Sequence, residues 1–528
     1  MSAAATTSLP LAAPWRAAAN PWLIAVAVMA ATFMEVLDST VVNVSLPHIA
    51  GNMSATTEEA TWVLTSYLVA NAIILPATGW LATFFGRKRF LLACILIFTC
   101  ASMLCGAATS LNLLILARVL QGLGGGALQP ISQAILLESF PPQRRGVAMA
   151  VFGLGIVVAP IIGPTLGGWM TDEYSWRWIF YINLPVGALA LFLIQFYVED
   201  PPYIRAARPP RIDFLGFGLL ALWIGCLQIA LDRGQQEDWL ASTFIRTLLI
   251  TSVIGLALFL FRELMTDHPL VNLRVLKNRS FSTGLVMMLA MGAVLYGSIA
   301  LLPLFLQTLL GYSAMQSGLA TSPRGFGSIV GMIIVGRILG LVDGRWLIAF
   351  GFALLAFSTW QFGNLNLVIA PYNVIWPNIL NGFATALVFV PMMTLAMGTL
   401  KNEQMGNATG IFNLMRNLGG SAGIATVATL LGRGAQVHQA VMSAHISTSD
   451  PVFVERQAML AHTLTPALGH GPAVQAANGI LYGQLLQQSS LGAYIDNFRL
   501  LAILCILCLP LLFLFRKGKG HKPMAGAH

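Results

Sequence analysis

Two carboxylates, Glu35 and Asp38, stand three residues apart in the segment 35–47, within a predicted helix that is otherwise apolar enough to cross a bilayer. At this spacing both side chains lie on one face of a helix. An ionisable group inside a bilayer costs about 2.5 to 3.5 kcal/mol on insertion scales, so a chain that carries one generally uses it. The pair therefore indicates a buried site that gains and loses protons.

Arg118 is the predicted partner of Asp38. The apolar windows 22–44 and 112–136 run in opposite directions through the membrane, and the helical rise places both charges about 9 Å below the same surface. Two interpretations of Asp38 stay open, a proton carrier and a fixed structural ion pair with Arg118. For Glu35 they are a second proton-coupling group and a buried protonated carboxyl that only holds a hydrogen bond.

Other polar side chains in the apolar windows are predicted to line a central substrate cavity. By residue count Arg324 and Arg416 lie near mid-depth, where each would pair with Glu35 or with an anionic group of a substrate. Pro323 precedes Arg324, so capping of a broken helix explains that arginine equally well. The predicted cavity residues are Glu35, Asn43, Gln121, Gln129, Gln307, Arg324 and Arg416.

The composition indicates which elements position these side chains. The chain has 528 residues, of which 57% are hydrophobic and 9% charged, and its mean hydropathy is +0.76. A soluble protein of this size needs more polar surface, so the fold class is predicted as an all-α, polytopic membrane protein. Windows of about 20 apolar residues each predict fourteen transmembrane helices. They are 22–44, 60–82, 90–109, 112–136, 146–169, 177–198, 212–231, 243–263, 281–307, 314–336, 346–364, 371–398, 405–431 and 496–515.

The charges between the windows predict the orientation. Most of the 29 Lys and Arg residues fall in connections on one side of the alternating helices. Because such residues collect on the cytoplasmic side, both termini are predicted to be cytoplasmic. The net charge of +9 then reflects contact with the lipid bilayer and does not indicate nucleic acid.

The motifs of catalytic sites are missing from the sequence. Neither GxxxxGK[ST], which cradles phosphates, nor the zinc-binding HExxH occurs. Gly419, Ser421 and Gly423 match GxSxG, but they lie in a helical run and not on a strand-to-helix turn. The sequence predicts no enzyme activity, no metal site and no cofactor.

Several stretches carry recognisable patterns. The connection 79–89 reads Gly-Trp-Leu-Ala-Thr-Phe-Phe-Gly-Arg-Lys-Arg, and 118–126 reads Arg-Val-Leu-Gln-Gly-Leu-Gly-Gly-Gly. Small residues recur every fourth position in 155–167, next to two prolines, a spacing that lets helices approach closely. With the segment 37–47, these stretches resemble the major facilitator superfamily, and their order resembles its fourteen-helix drug:proton antiporter branch.

The resemblance implies site roles and a division of the chain. It assigns Asp38, Arg118 and Glu35 to proton coupling. The gating and motif residues that it implies are Gly79, Gly86, Arg87, Lys88, Gly163, Pro164, Gly167 and Gly168. Thr83 stands where the family pattern has an acid. The implied domains are an N-terminal six-helix half, 1–198, a linker with two inserted helices, 199–280, and a C-terminal six-helix half, 281–528.

The function that the resemblance implies is proton-coupled export of amphipathic organic compounds by alternating access. The exporter would lie in the bacterial inner membrane and work with a periplasmic adaptor of the membrane fusion protein type and an outer-membrane channel. The main alternative is a facilitative uniporter or channel for a metabolite, in which the buried charges are only structural. A weaker one is a receptor that has lost transport.

The outer loop predicted at 432–495 is longer than two neighbouring helices need. One interpretation is a docking surface for the adaptor, with Leu481, Leu485 and Leu486 as apolar anchors at helical spacing. The other is a self-packed cap on the mouth of the transporter.

Overall fold

The computed structural model describes residues 19–141, 144–201, 213–266, 269–444, 446 and 450–515. These residues form helices and connections, and no strand occurs among them. Lipid offers a backbone no hydrogen-bond partner, so a segment that crosses a bilayer satisfies its own N–H and C=O groups as a helix. The all-α prediction is confirmed.

The long helices are numbered here in chain order. They are α1 Pro21–Asn52, α2 Trp62–Phe85, α3 Arg87–Ala107, α4 Leu111–Ser139, α5 Arg145–Glu173, α6 Trp178–Tyr197, α7 Phe214–Arg233, α8 Thr243–Met265, α9 Arg279–Thr308, α10 Met315–Ile338, α11 Gly344–Phe362, α12 Tyr372–Met397, α13 Met405–Ser443, α14 Pro451–Leu468 and α15 His470–Cys508. Helix α4 is interrupted by a turn at Gly126, and α10 by one at Ser322.

Polar side chains fix the starts of several helices. Asn20 accepts a hydrogen bond from the backbone N–H of Trp22 at 3.0 Å and begins α1. Asp213 accepts one from Gly216 at 2.9 Å and begins α7, and Asn278 has the same role in α9. Such caps satisfy N–H groups that the first turn leaves without partners.

A helix lies in each of the fourteen predicted windows. Within the described part of the chain, twelve helices are long and apolar enough to cross a membrane. Helices α11 and α13 are not among the twelve; α13 carries Asn413, Arg416 and Asn417 in its membrane window. The prediction of a multi-pass membrane protein is confirmed, whereas the count of fourteen spans stays a prediction.

The segment 432–495, predicted as an outer loop with apolar anchors at helical spacing, is largely helical in its described residues. Helix α13 continues past its window to Ser443, and α15 begins at His470, well before the predicted start at 496. Gly469 has φ of +80° and makes the turn from α14 into α15, a conformation that glycine adopts without strain. Apolar windows detect only the lipid-facing part of a helix, so they missed these polar extensions. Residues 432–495 are called the hairpin below.

The bundle has two ends, called the Arg87 end, where α2 meets α3, and the hairpin end. At the Arg87 end α2 contacts α13 closely, because a Cβ on Gly79 would lie 2.5 Å from the backbone nitrogen of Asn407. Toward the same end a Cβ on Gly336 of α10 would lie 3.3 Å from Ala150 of α5. Helices α2 and α5 therefore meet α13 and α10, which follow much later in the chain, at the Arg87 end.

Candidate proton and substrate site

Asp38 and Arg118 form an ion pair in the interior of the bundle. Arg118 Nη1 lies 2.6 Å from Asp38 Oδ2. Arg118 is 0% exposed and Asp38 is 1% exposed. The pairing expected from helical rise is therefore present. A buried charge needs a partner of this kind to offset its lost hydration.

Two amides complete the surroundings of the Asp38 carboxylate. Gln121 Nε2 and Asn183 Nδ2 each donate to Asp38 Oδ1 at 2.8 Å. Asn183 Nδ2 also lies 2.9 Å from Ser102 Oγ, and this hydroxyl donates to the carbonyl of Phe180. Three side chains from α4 and α6 thus donate to one carboxylate. The cavity prediction included Gln121, but it missed Asn183, although the Ile-Asn-Leu-Pro stretch at 182–185 places an amide in an apolar window.

Arg118 is held from two further directions. Its Nε donates to the carbonyl of Val63 at 3.0 Å, and its guanidinium lies 4.2 Å from the centre of the Tyr67 ring. Both residues belong to α2, so Arg118 ties α4 to α2 as well as to α1. A cation over an aromatic ring is stabilised most where water is excluded.

Glu35 forms a second site one helical turn from Asp38. Tyr67 OH and Asn71 Nδ2 donate to Glu35 Oε1 at 3.3 and 3.2 Å, and Gln129 Nε2 donates to Oε2 at 2.6 Å. The carboxyl group is buried and surrounded by donors. Tyr67 contacts both sites, since its ring lies under Arg118 and its hydroxyl reaches Glu35.

Gln129 connects Glu35 to the C-terminal part of the chain. Its Oε1 accepts a hydrogen bond from Arg416 Nη2 of α13 at 2.5 Å. The sequence had suggested a direct pair between Arg416 and Glu35. In the structure Arg416 contacts Glu35 only through Gln129. A second amide contact between α4 and α13 joins Asn413 Nδ2 to Gln133 Oε1 at 2.6 Å.

The remaining predicted cavity residues lie apart from this network. Arg324 Nη2 donates to Ser298 Oγ of α9 at 3.1 Å and not to Glu35. Asn43 is exposed, and its amide donates to the carbonyl of Ser39. Gln307 is exposed in the last turn of α9. These three residues keep their predicted role only as a proposal.

The glycine run of α4 lets that helix reach the two acids. A Cβ on Gly122 would lie 2.5 Å from the carbonyl oxygen of Tyr67, and one on Gly126 would lie 2.5 Å from that of Asn71. Side chains at these positions would push α4 away from α2. The turn at Gly126 then redirects the chain, so that Gln129 points at Glu35 while Gln121 points at Asp38.

An acidic side chain contacts the connection 79–89 at the Arg87 end, but this residue, Asp200, comes from the segment after α6. Gly86 has φ of +83°, which favours glycine. Asp200 Oδ1 accepts a hydrogen bond from the Lys88 backbone N–H at 2.8 Å and so caps α3. Lys88 Nζ donates to the carbonyl of Gln195 at 2.6 Å. Thr83 only donates to its own helix at Gly79, so Asp200 supplies the negative charge that the motif lacks.

Arg87 pairs with Glu138, and both side chains are buried. This contact ties the start of α3 to the end of α4. The side chain of Glu138 therefore turns inward, toward α3.

Small residues of α5 form its contact with α1. A Cβ on Gly167 would lie 2.7 Å from Val41 Cγ1, one on Gly163 would meet Thr40 Oγ1, and Gly168 faces Val44. The side chain of Pro164 lies outside the described residues. Helix α1, which carries both acids, is therefore packed closely against α5.

Among the described residues, no group of three or more His, Cys, Asp or Glu side chains is placed to hold a metal ion. The polar groups form two hydrogen-bonded clusters, one around Asp38 and one around Glu35. Tyr67 contacts both clusters, because its ring lies against Arg118 and its hydroxyl donates to Glu35. A membrane bundle with acids and bases buried near its middle is typical of secondary transporters, which bind ions and substrates at mid-depth.

The chain belongs to the Major Facilitator Superfamily, whose family model matches residues 28–424. It is 38% identical over 431 residues to the multidrug export protein EmrB of Haemophilus influenzae, covering 81% of this chain and 84% of that protein. It is 37% identical to EmrB of Escherichia coli K12 over 88% of this chain and 90% of that one.

One further relative and one solved structure extend the comparison. The fatty acid resistance protein FarB of Neisseria gonorrhoeae is 35% identical over 96% of this chain and 99% of its own length. The fold is similar to that of the human organic anion transporter MFSD10 (TETRAN), with a TM-score of 0.60 at 14% identity over 93% of this chain and 99% of that one. At that identity the likeness concerns the fold alone.

Proposed function

We propose that this protein is a multidrug efflux antiporter, which exports amphipathic organic compounds across a bacterial inner membrane in exchange for protons. The observation that carries the proposal is the buried ion pair of Asp38 and Arg118. The names of relatives that match most of the chain support drug export. A facilitative uniporter with purely structural charges is not favoured, because these relatives are named for export.

A proton on Asp38 is the proposed switch between two access states. When Asp38 is charged, Arg118, Gln121 and Asn183 hold it in the geometry seen here. Proton binding removes the charge and leaves Arg118 as a buried cation without compensation, which favours a different packing of α1 and α4. One charge that crosses 100 mV gains about 2.3 kcal/mol, enough to drive accumulation against a gradient.

Glu35 is the proposed link between proton and drug. It hydrogen-bonds Gln129, which contacts Arg416 on the opposite side of the site. A drug that replaces Gln129 as the partner of Glu35 or Arg416 would break a contact between α4 and α13. Alternation between the halves 1–198 and 281–528, with 199–280 inserted, follows the superfamily pattern and completes the proposal.

The hairpin is the proposed docking site for a periplasmic adaptor (a membrane fusion protein, EmrA-like), which would connect to an outer-membrane channel (TolC-like). Leu481 and Leu485 are half-buried and only Leu486 is exposed, so the anchors suggested by the sequence partly serve the hairpin itself. Other apolar side chains are exposed there, which supports a contact surface. They are Val437, Val441, Val452, Val454, Met459 and Tyr482. The positive-inside rule supports a periplasmic position for the hairpin and a cytoplasmic position for both termini.

The test of the proposed function is drug-driven proton movement. Purified protein is reconstituted in vesicles that contain a pH-sensitive dye, and an ethidium gradient is imposed across the membrane. We expect protons to move against the direction of ethidium, and the signal to disappear in protein-free vesicles. Ethidium movement without any proton movement would identify a uniporter.

Gly79→Val should block export. A Cβ at Gly79 would lie 2.5 Å from the nitrogen and 2.6 Å from the Cα of Asn407, and these backbone atoms move only if α13 moves. Gly340→Val is the matched control, because open space surrounds that glycine. Export rates are compared at equal amounts of protein in the membrane. Equal rates for both variants would show that transport does not need the contact between α2 and α13.

Glu35→Gln should lower the preference for cationic over neutral drugs several-fold. A cavity carboxylate favours cations and an amide does not, and an amide at this position also sets an NH₂ group against a donor from Gln129, Tyr67 or Asn71. Binding of ethidium and of an uncharged dye of similar size is compared. Glu237→Gln, at an exposed position, is the control. If the affinity ratio of the two dyes is unchanged, Glu35 has a structural role.

A further inference from the structure

Helices α2 and α13 change neighbours about halfway along their length. Toward the Arg87 end they contact each other: a Cβ on Gly410 would lie 2.5 Å from the carbonyl oxygen of Leu75, and Gly79 faces Asn407. Toward the hairpin end each of them contacts α7 instead. The two helices therefore form a V that opens toward the hairpin end, with α7 between its arms.

The contacts of α7 with α2 run along the open half of the V. A Cβ on Gly225 would lie 3.7 Å from Val69 Cγ1. Further along, Thr65 Oγ1 donates to Asp232. At the tip, the Arg233 guanidinium lies 4.6 Å from the centre of the Trp62 ring.

The opposite side of α7 contacts α13. Gln228 Nε2 donates to Ser421 Oγ at 2.6 Å, and Gln228 is 2% exposed. In the turn after α7, Trp239 Nε1 donates to Thr429 Oγ1 at 2.8 Å. Ser421 and Thr429 lie beyond the part of α13 that contacts α2 directly. Polar pairs thus join α7 to helices from both halves at the same end of the bundle.

We propose that α7 is a wedge that holds the hairpin end open and seals the gap between α2 and α13 against lipid. Without α7, the open V would connect the central site to the hydrocarbon of the bilayer, where acyl chains would compete with amphipathic drugs. When the hairpin end closes, the outer parts of α2 and α13 approach each other and occupy the volume that α7 fills here. The contacts of α7 with α2 and with α13 therefore coexist in only one access state.

The polar character of the contacts fits a wedge that is released in each cycle. A hydrogen bond between membrane helices changes an equilibrium by about threefold on average. The Thr65–Asp232 and Gln228–Ser421 pairs thus favour the open state by a modest factor and break without trapping it. This inference gives a function to the inserted helices, and it rests on the alternation of access proposed above.

The test is reversible cross-linking of both sides of the wedge at once. In a variant without the six native cysteines, cysteines replace Thr65 and Asp232 on one side, and Gln228 and Ser421 on the other. A short bifunctional methanethiosulfonate then links each pair. We expect ethidium export to fall at least tenfold when both pairs are linked and to return after reduction with dithiothreitol. Retention of more than half of the export rate by fully linked protein would overturn the wedge.

The matched control links two helices of the C-terminal half. In it, Gly434→Cys and Ala493→Cys join α13 to α15, where a Cβ on Gly434 would lie 3.2 Å from Ala493 Cβ. Linking this pair should leave export unchanged. If it too stops export, the loss reflects stiffening of α13 and the wedge is rejected. Each variant is first assayed unlinked, so that a failure of export itself, which would count against the proposed function, is separated from an effect of the links.

A second measurement applies if the four-cysteine variant does not fold. Gln228→Leu and Ser421→Ala each remove one contact of α7 with α13. We expect each to shift the access equilibrium away from the open hairpin end by about threefold. The readout is labelling of a cysteine placed at Asn43 with a membrane-impermeant maleimide from the hairpin side. Unchanged labelling in both variants would contradict the proposal.

Discussion

Asp38→Asn should reduce proton-driven export to the rate measured without a pH gradient, while the protein still folds and inserts. The amide keeps the volume of the carboxyl group and cannot carry a proton at any physiological pH. It also sets an NH₂ group against one of the donors that surround Asp38, from Arg118, Gln121 or Asn183. Export of ethidium is measured in vesicles with an imposed pH gradient.

Asp172→Asn is the control for this experiment. It makes the same chemical change on a side chain that is 71% exposed at the end of α5, so export should be unaffected. Arg118 need not be altered to interpret the result, because the Asn variant leaves that cation in place. Export at the normal rate by a well-expressed Asp38→Asn protein would falsify the assignment of Asp38 as proton carrier.

Replacing residues 444–481 by a short Gly/Ser linker should abolish drug resistance in cells while sparing transport in vesicles. The replaced part contains α14 and the first turns of α15, away from the site. Its two attachment points are close, since Gln439 Nε2 donates to Tyr482 OH at 3.2 Å and Ser489 Oγ lies 3.6 Å from Met442 Sδ. The remaining stem of α13 and α15 therefore has contacts to hold it together.

Three readouts distinguish docking from a cap. Co-purification of an adaptor reports binding, survival on drug plates reports the whole assembly, and vesicle transport reports the exporter alone. Docking on the hairpin predicts the loss of the first two and retention of the third. A truncated protein that still binds the adaptor and confers resistance would move the docking site to the remaining stem of the hairpin or to other connections at the hairpin end, whereas loss of vesicle transport would support a cap.

The contacts that the sequence predicted depend on helix geometry alone. Rise per residue sets the depth of Asp38 and Arg118, so their meeting followed from counting. The same counting put Arg324 near Glu35, yet Arg324 turns to Ser298. The depth of a residue in the membrane does not determine which neighbouring helix its side chain contacts. That contact depends on where two helices pack closely, as α4 and α2 do at Gly122 and Gly126.

Other features escaped prediction for different physical reasons. Asn183 and Tyr67 are polar residues in apolar windows, and a single sequence does not distinguish a side chain that binds a buried carboxylate from one that lies at the lipid headgroups. Asp200 is distant in sequence from the connection that it caps. The full extent of the helices in the hairpin was not predicted, because hydropathy distinguishes lipid from water and does not distinguish a polar helix from a coil.

Helix α13 is continuous over 39 residues, about 58 Å at helical rise. One rigid element therefore carries Arg416 in the site and Val437 on the hairpin. A molecule that binds the hairpin more tightly in one access state changes the affinity for drug by some factor. By thermodynamic reciprocity the drug changes the affinity for that molecule by the same factor. A periplasmic partner would then be an allosteric effector of drug binding, and the drug an effector of assembly.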